Sequence, residues 1–179
     1  MTAATSNRAD LAALVGRFRD TRVWVAGDIM LDDYVKGDVD RISPEAPIQV
    51  VHVRKSKPFL GGAGNVARQL ATLGARVRLC GMVGDDDAGS TILEMCADHG
   101  IDSSGIGRLG SIPTTRKMRV LGQRYQQLLR LDWEEKQPHP PELTHPLIDR
   151  LAQGSDPDVV LLSDYAKGFL ERETVETLC

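Results

Sequence analysis

Residues 61–84 read GGAGNVARQLATLGARVRLCGMVG, and they set the expected architecture. A glycine-rich turn comes first, and apolar residues then recur at helical spacing up to Leu73. Gly74 is typical of the position just after a helix, and residues 76–83 are apolar enough for a buried strand. We therefore expect a helix that begins at Asn65 and ends before Gly74, followed by a strand.

The alternation of strand and helix continues on both sides of this unit. The apolar run Val23–Ala26 ends in Gly27-Asp28 and predicts a buried parallel strand, as do residues 159–162. Further helices are expected over residues 8–19, 85–100, 142–152 and 170–178. This pattern predicts an α/β fold with a mostly parallel sheet.

Two stretches, residues 32–56 and 112–133, interrupt this alternation. Each mixes short apolar runs with charged residues and turn signals, such as the Ser43-Pro44-Glu45 turn in the first stretch. We interpret both as two-stranded ribbons that together form a small second sheet projecting from the main layer. The length of 179 residues is that of one domain with a small appendage.

One glycine motif in the sequence does not predict a function. Residues 105–110 read GIGRLG and fit the GxGxxG pattern of dinucleotide-binding proteins. That function needs a preceding strand and a following helix, whereas a predicted helix end precedes this motif and Pro113 follows it. We therefore predict a flexible loop here.

The composition excludes several classes of protein. With 22 Lys and Arg against 25 Asp and Glu, the net charge of −3 excludes a globally basic nucleic-acid-binding protein. No apolar run has the length of a membrane span, and the first ten residues lack the apolar core of a signal peptide. Three widely spaced cysteines are typical of reduced thiols. We expect a cytoplasmic protein with neither a nucleic-acid nor a membrane partner.

The glycine turn is the first candidate binding site. Gly61 and Gly62 leave backbone N–H groups open to a ligand, and Asn65 can both donate and accept hydrogen bonds. Such a turn could hold sugar hydroxyls or an anion. The alternative is a tight turn in which Asn65 caps the helix.

Polar residues after two predicted strands form a second candidate site. Asp28 follows the first strand, and Asp164 and Lys167 follow the run at residues 159–162. Ligands of open α/β sheets bind at the carboxyl ends of strands, where a carboxylate can accept hydroxyl hydrogen bonds. A capping or turn role is an equally good interpretation of these residues. The acidic triplet at residues 85–87 is better explained by helix capping than by a metal site.

Positive charge is concentrated in one interval. Between Asp102 and Asp132 the chain has six basic residues and no acidic one. Lys117 and Arg119 share one face of a predicted strand, which suits a phosphate group on a small ligand. The alternative is an edge strand protected from aggregation by its charge. A nucleic-acid site is disfavoured because Tyr125 is the only aromatic residue in the interval.

Several motifs resemble those of the ribokinase, or PfkB-type, carbohydrate kinases. The matching stretches are residues 61–67, 73–75 and 81–89, and the likeness runs from about Val23 to Cys179. Residues 27–34, 41–47, 126–132 and 163–168 are similar, more narrowly, to the branch of the family that acts on heptose 7-phosphates.

The resemblance implies a fold and an activity. The expected fold is a ribokinase-like sheet covered by helices on both faces, with a small β-lid that closes over the sugar and often forms a homodimer contact. The implied reaction transfers the γ-phosphoryl group of ATP, with Mg²⁺, to O1 of a heptose 7-phosphate, for ADP-heptose and lipopolysaccharide core synthesis. Alternatives are a kinase for another sugar, such as ribose, fructose or their phosphates, or a non-catalytic sugar-binding or dimerisation module.

The resemblance also implies site residues. The family's sugar-binding positions match Asp28, Gly61, Gly62 and Asn65, and the lid ribbons correspond to residues 32–56 and 112–133. The family's second half carries an Asp-Thr-x-Gly-Ala-Gly-Asp motif with the catalytic base and the adenine pocket, and this motif is absent from the sequence. We therefore expect residues 1–179 to be the sugar-binding half, inactive alone, with the catalytic Asp and the ATP-binding part beyond Cys179.

Overall fold

The chain folds around two four-stranded β-sheets. The structure is a computed structural model, and it describes residues 13–135, 139–153 and 156–178. In chain order the strands are β1 (Arg22–Gly27), β2 (Ile29–Ile42), β3 (Gln49–Gly62), β4 (Arg76–Gly84), β5 (Asp102–Leu109), β6 (Arg116–Leu121), β7 (Gln127–Trp133) and β8 (Val159–Ser163). The α-helices are α1 (Ala63–Thr72), α2 (Asp87–Asp98), α3 (Pro141–Ala152) and α4 (Arg172–Leu178).

The first sheet is parallel and has the order β5-β4-β1-β8. Along β1, Val23 and Val25 pack in one apolar cluster with residues of α1 and α2. Ala26 packs in the other cluster, with residues of α3 and α4. Because successive side chains of a strand point to opposite faces, helices cover both faces of this core sheet. The α/β prediction is confirmed.

The second sheet is the lid, with the order β3-β2-β6-β7. Strands β2 and β3 form a long antiparallel hairpin, β6 and β7 form a shorter one, and β2 pairs with β6 in parallel. Both irregular stretches of the sequence therefore lie in this sheet. The first ribbon is longer than predicted, because its strands continue to Ile29 and Gly62, next to the core sheet.

The glycine turn differs from its predicted form. Gly61 and Gly62 belong to β3, and α1 begins at Ala63 rather than at Asn65. The chain turns at Gly62, whose φ is +55°, and the N–H of Ala63 then donates to the carbonyl oxygen of Asp28 at 2.9 Å. This bond fixes the start of the helix two residues earlier than the apolar pattern indicates.

The predicted loop at residues 105–110 is wrong for most of its length. Gly105 and Gly107 lie in β5 and pair with Cys80 and Met82 of β4. A Cβ atom at Gly107 would lie 2.8 Å from the side chain of Leu147, so glycine allows α3 to pack against this strand. Tertiary pairing overrides the low strand propensity of glycine. The motif lies inside a strand and does not have the strand–turn–helix context of a dinucleotide site.

Strand β8 is also less buried than its apolar sequence predicts. Val159 is 48% exposed, and Val160 and Leu162 are each 37% exposed. The reason is its position at the edge of the core sheet, where β1 is its partner. Of the predicted helix at residues 8–19, residues 8–12 lie outside the described residues. Residues 13–16 are α-helical, and a short 3₁₀-helix follows at Arg17–Asp20. Within the described residues, no helix has both the length and the apolar character to cross a membrane.

Candidate functional site

An open cavity of about 600 Å³ lies between the lid sheet and α1. The side chains that line it come from β2, β3, α1 and the β6–β7 hairpin: Asp32, Tyr34, Lys36, Lys55, Lys57, Phe59, Leu60, Asn65, Arg68, Leu121 and Tyr125. The register of the first hairpin explains this grouping, because Asp32, Tyr34 and Lys36 are paired with Phe59, Lys57 and Lys55. Side chains in register on alternate positions share one face of a sheet.

Asp32 and Asn65 contribute a carboxylate and an amide to the lining of the cavity. The Asp32 carboxylate accepts a hydrogen bond of 2.5 Å from Arg119, whose guanidinium also lies 5.3 Å from the ring centre of Tyr34. The hydrogen bond to Asp32 raises the pKa of Arg119 above its ordinary value. A Cβ atom at Gly61 would lie 2.6 Å from an Asp32 carboxylate oxygen, so glycine is needed there for the carboxylate to take this position. Asp32 and Asn65 together offer hydrogen-bond acceptors and donors to a polyhydroxylated ligand.

Of the predicted site residues, Asn65 lines this cavity, and Gly61 lies against the side chain of Asp32, which also lines it. The Asn65 side chain does not cap α1, which has no side-chain cap and has Gly62 at its N-cap position. Instead, Asn65 Oδ1 accepts a hydrogen bond of 3.0 Å from Arg68 Nη2. Gly62 contributes the turn that directs α1 toward the cavity.

Asp28 lies just after β1 and beside the loop that follows β8. Its carboxylate is buried and accepts backbone hydrogen bonds from Tyr165, Lys167 and Phe169 at 2.7, 3.1 and 3.2 Å. Asp28 does not line the cavity described above, but together with Lys167 it lines a second, smaller cavity. These three bonds show that Asp28 holds the turn after β8, and its role as a sugar ligand stays a prediction.

The loop after β8 places Asp164 and Lys167 apart from the cavity. Asp164 is exposed, and its Oδ1 accepts a hydrogen bond of 2.7 Å from the N–H of Ala166, which has a φ of +54°. Lys167 Nζ donates to Glu134 at 2.7 Å. Here Asp164 stabilises a tight turn, as its alternative interpretation predicts.

Lys117 lies on the same face of β6 as Arg119, as predicted, but both cations have acidic partners. Lys117 Nζ lies 3.2 Å from Asp132 and 2.9 Å from Glu134. Burial lowers the pKa of Lys117, but the hydrogen bonds to Glu134 and Asp132 outweigh this effect and raise the pKa above its ordinary value. Residues 103–131 contain no acidic residue, yet both cations are neutralised by acids from outside this interval. Asp132 and Glu134 neutralise Lys117, and Asp32 of β2 neutralises Arg119.

The acidic triplet caps α2, as the preferred interpretation predicts. Asp86 is the N-cap residue and accepts from the N–H of Gly89 at 2.8 Å. It also accepts from the N–H and the hydroxyl of Thr114, at 2.8 and 2.7 Å. In the described part of the chain, no group of three or more His, Cys, Asp or Glu side chains could hold a metal ion.

The sequence profile of the pfkB family carbohydrate kinases matches residues 20–155, which is more than half of the chain. The chain belongs to the pfkB family of carbohydrate kinases. Relatives of this family member include the D-beta-D-heptose 7-phosphate kinase of Bordetella bronchiseptica, 50% identical over 87% of the chain. A bifunctional protein HldE of Bradyrhizobium diazoefficiens is 45% identical over 93% of the chain. The chain spans 49% of the length of the first relative and 34% of the second.

Solved structures place this pfkB chain in the ribokinase-like fold. A carbohydrate kinase from Agrobacterium tumefaciens aligns with a TM-score of 0.61 at 18% identity, over 79% of this chain and 45% of that one. The ribokinase of Arabidopsis thaliana, solved with ribose and ATP, aligns with a TM-score of 0.55, also at 18% identity. This alignment covers 79% of this chain and 45% of the ribokinase chain. The fold expected from the resemblance is thus confirmed.

Sequence reasoning missed most residues of the cavity, including Asp32, Lys57 and Arg68. A signal was present, because Asp32-x-Tyr34-x-Lys36 alternates on one strand of the ribbon. Lys55-x-Lys57-x-Phe59 alternates in the same way on the other. When polar residues occupy every second position on each of two paired strands, their side chains are predicted to form one polar surface. The pairing register that brings them together could not be read from either strand alone.

Proposed function

We propose that this chain forms the sugar-binding part of an ATP-dependent kinase, and that the sugar is a heptose 7-phosphate phosphorylated at O1. Membership of the pfkB family and the names of the most similar relatives support the reaction and the sugar. The observation that carries the proposal is the cavity, where the lid meets α1 and where Asp32 and Asn65 present hydrogen-bonding groups. ADP-heptose synthesis for lipopolysaccharide would consume the product.

In this proposal Asp32 and Asn65 orient the sugar, and the backbone at Gly61 and Gly62 approaches it closely. Asp28 has an indirect role in this proposal, because it holds the loop that carries Lys167. ATP and Mg²⁺ belong to the proposal as phosphoryl donor and its metal ion. The described residues do not form a metal site, so no step is assigned to them through the ion. We expect the catalytic Asp beyond Cys179, and the protein in the cytoplasm.

Isothermal titration of the 179-residue chain with D-glycero-β-D-manno-heptose 7-phosphate tests the sugar site. Asp32→Asn removes the charge that accepts hydroxyl hydrogen bonds, and we expect binding about 10-fold weaker or more. Asp98→Asn, an exposed carboxylate at the end of α2, is the matched control and should bind as the unchanged chain does. Equal affinity in Asp32→Asn would remove Asp32 from the site.

The choice of sugar is tested in the same titration. Ribose, fructose and their phosphates serve as competitors, and a preference for any of them over the heptose ester would replace heptose as the substrate. A kinase assay with ATP completes the test. We expect sugar binding without turnover by residues 1–179, and measurable phosphorylation would contradict the assignment of the catalytic Asp to a later part of the protein.

We also propose that the lid forms a homodimer contact. On the lid face opposite the cavity, Leu129, Leu131 and Trp133 are 52%, 38% and 41% exposed. Large exposed apolar patches are typical of interaction surfaces. Light scattering should give the mass of a dimer, and Leu131→Glu should give a monomer with unchanged sugar affinity.

A further inference from the structure

We infer that four cations lining the cavity form an anion site that recognises a phosphate group on the sugar. They are Lys36, Lys55 and Lys57 of the lid sheet and Arg68 of α1. The inference rests on the proposed function, because it concerns the same cavity. It assigns the recognition of the phosphate to residues other than Lys117 and Arg119.

The first observation is a local excess of positive charge. Four cations line the cavity, and Asp32 is the only acidic residue among the described residues that line it. Asp32 is already paired with Arg119, outside the cavity wall. Lys36, Lys55, Lys57 and Arg68 have no ion pair with any residue in the described ranges, whereas Lys117 and Arg119 each have an acidic partner.

The second observation concerns Arg68. Arginine has five N–H donors. In the described part of the chain, the Arg68 guanidinium makes one hydrogen bond, from Nη2 to Asn65 Oδ1. Its Nε is buried and has no hydrogen-bond partner there. The buried Nε is not open to a ligand, but Nη1 and the second N–H of Nη2 make no hydrogen bond in the described part of the chain. These two nitrogens can make a bidentate contact with a phosphate, and the bond to Asn65 fixes the side chain beside the proposed sugar site.

Spacing along the lid supports a ligand with a polar end and an anionic end. Lys57 is paired in register with Tyr34, two residues along β2 from Asp32, which is roughly 7 Å at the rise of a strand. Lys36 and Lys55 are paired two residues further along, roughly 13 Å from Asp32. A sugar ring bound at Asp32 and Asn65 would direct the phosphate on its terminal carbon toward these cations.

Aromatic rings hold two of these lysines in place. Lys36 Nζ lies 3.5 Å from the ring centre of Tyr125, and Lys57 Nζ lies 4.9 Å from that of Phe59. Contacts of this kind orient an ammonium group without neutralising its charge. The cations are thus positioned, yet they remain available to a phosphate dianion.

The test compares three probes by isothermal titration of the 179-residue chain. They are D-glycero-β-D-manno-heptose 7-phosphate, the same heptose without phosphate, and glycerol 3-phosphate. We expect the phosphorylated heptose to bind about 100-fold more tightly than the free heptose, at roughly 10-fold for each charged contact. Lys57→Gln combined with Arg68→Gln should remove this preference, so that the ratio of the two affinities falls to about one.

Matched variants separate charge from folding. Arg172→Gln removes an exposed charge at the start of α4 and should keep the preference. Arg68→Lys keeps the positive charge and should keep most of the preference for the phosphorylated heptose. Urea unfolding of every variant checks that the fold is intact. The preference should also weaken as salt is raised, because screening reduces the attraction of partly exposed charges.

Three results would overturn the inference. They are an unchanged preference in the double variant, equal binding of the free and phosphorylated heptose by the unchanged chain, and loss of the preference in Lys117→Gln instead. In the second case, sugar binding itself would still support the proposed function. Conversely, binding of glycerol 3-phosphate as tightly as the heptose ester, abolished in the double variant, would support the anion site and contradict the heptose specificity.

Discussion

Glu134, just after the last lid strand, accepts a hydrogen bond of 2.7 Å from Lys167 in the loop after β8. The same carboxylate oxygen lies 2.9 Å from Lys117 of β6. One acidic side chain therefore connects the lid sheet to a loop of the core sheet. The hydrogen bonds from Lys167 and Lys117 lower the pKa of Glu134 to about 2.

This ion-pair cluster predicts a pH dependence of stability. A carboxyl group whose pKa is lowered in the folded state stabilises that state fully above its unfolded pKa, near 4.5. The stabilisation is lost as the pH falls from there through about 2. Glu134→Gln should therefore lower the free energy of unfolding at pH 6, and the difference should shrink between pH 4.5 and pH 2. Urea unfolding across this range measures it.

The control for this pH series is Glu176→Gln. Glu176 pairs with Arg172, whose side chain is 90% exposed, and such surface pairs contribute little. We expect no measurable change in stability at any pH. If the free energies of unfolding of Glu134→Gln and the unchanged chain differed by the same amount at every pH, the charge of Glu134 would not contribute to stability.

Asp28→Ala should destabilise the fold by about 3 kcal/mol or more. The change leaves three backbone N–H groups without their acceptor, at roughly 1 kcal/mol or more each. Asp164→Ala, which loses one exposed bond to Ala166, should cost less than about 1 kcal/mol. Denaturant unfolding measures both. If Asp28→Ala kept its stability and lost sugar affinity, Asp28 would be a direct sugar ligand after all.

Gly62→Ala should cost about 3 kcal/mol or more. Its φ of +55° is strained for alanine, and a Cβ atom there would overlap the carbonyl oxygen of Asp28. Gly110→Ala is the matched control, since no atom lies within 4 Å of its added Cβ, and we expect a change within about 0.5 kcal/mol. Thermal or urea unfolding distinguishes them, and equal stability of the two variants would contradict the assigned geometry of the turn.

Cys80 and Cys96 should resist alkylation in the folded protein. Burial raises the pKa of the Cys80 thiol to about 12 and that of Cys96 to about 11, so thiolate is scarce at pH 8. Iodoacetamide labelling followed by peptide mass spectrometry should modify both only after urea is added. Rapid labelling without urea would show that the core sheet opens around these residues.

The sequence by itself determined the α/β class and the existence of the lid ribbons. Both depend on local periodicity, which is 3.6 residues in α1 and 2 residues in β2 and β3. It also predicted the capping of α2 by the acidic triplet, because capping acts within a few residues. The glycine turn before Asn65 predicted an open site at this residue, and Asn65 does line a cavity, although the exact start of α1 was not predicted.

Only the tertiary structure decided which side chains meet. Asp32 and Arg119 are 87 residues apart, and they come together because β2 pairs with β6 in parallel. Asp28 and Phe169 are 141 residues apart and meet because β1 pairs with β8. Strand pairing between distant segments depends on the summed packing of whole sheets, so no local pattern specifies its register. For the same reason the cations of β6 have acidic partners, whereas those of the cavity have none within the described residues.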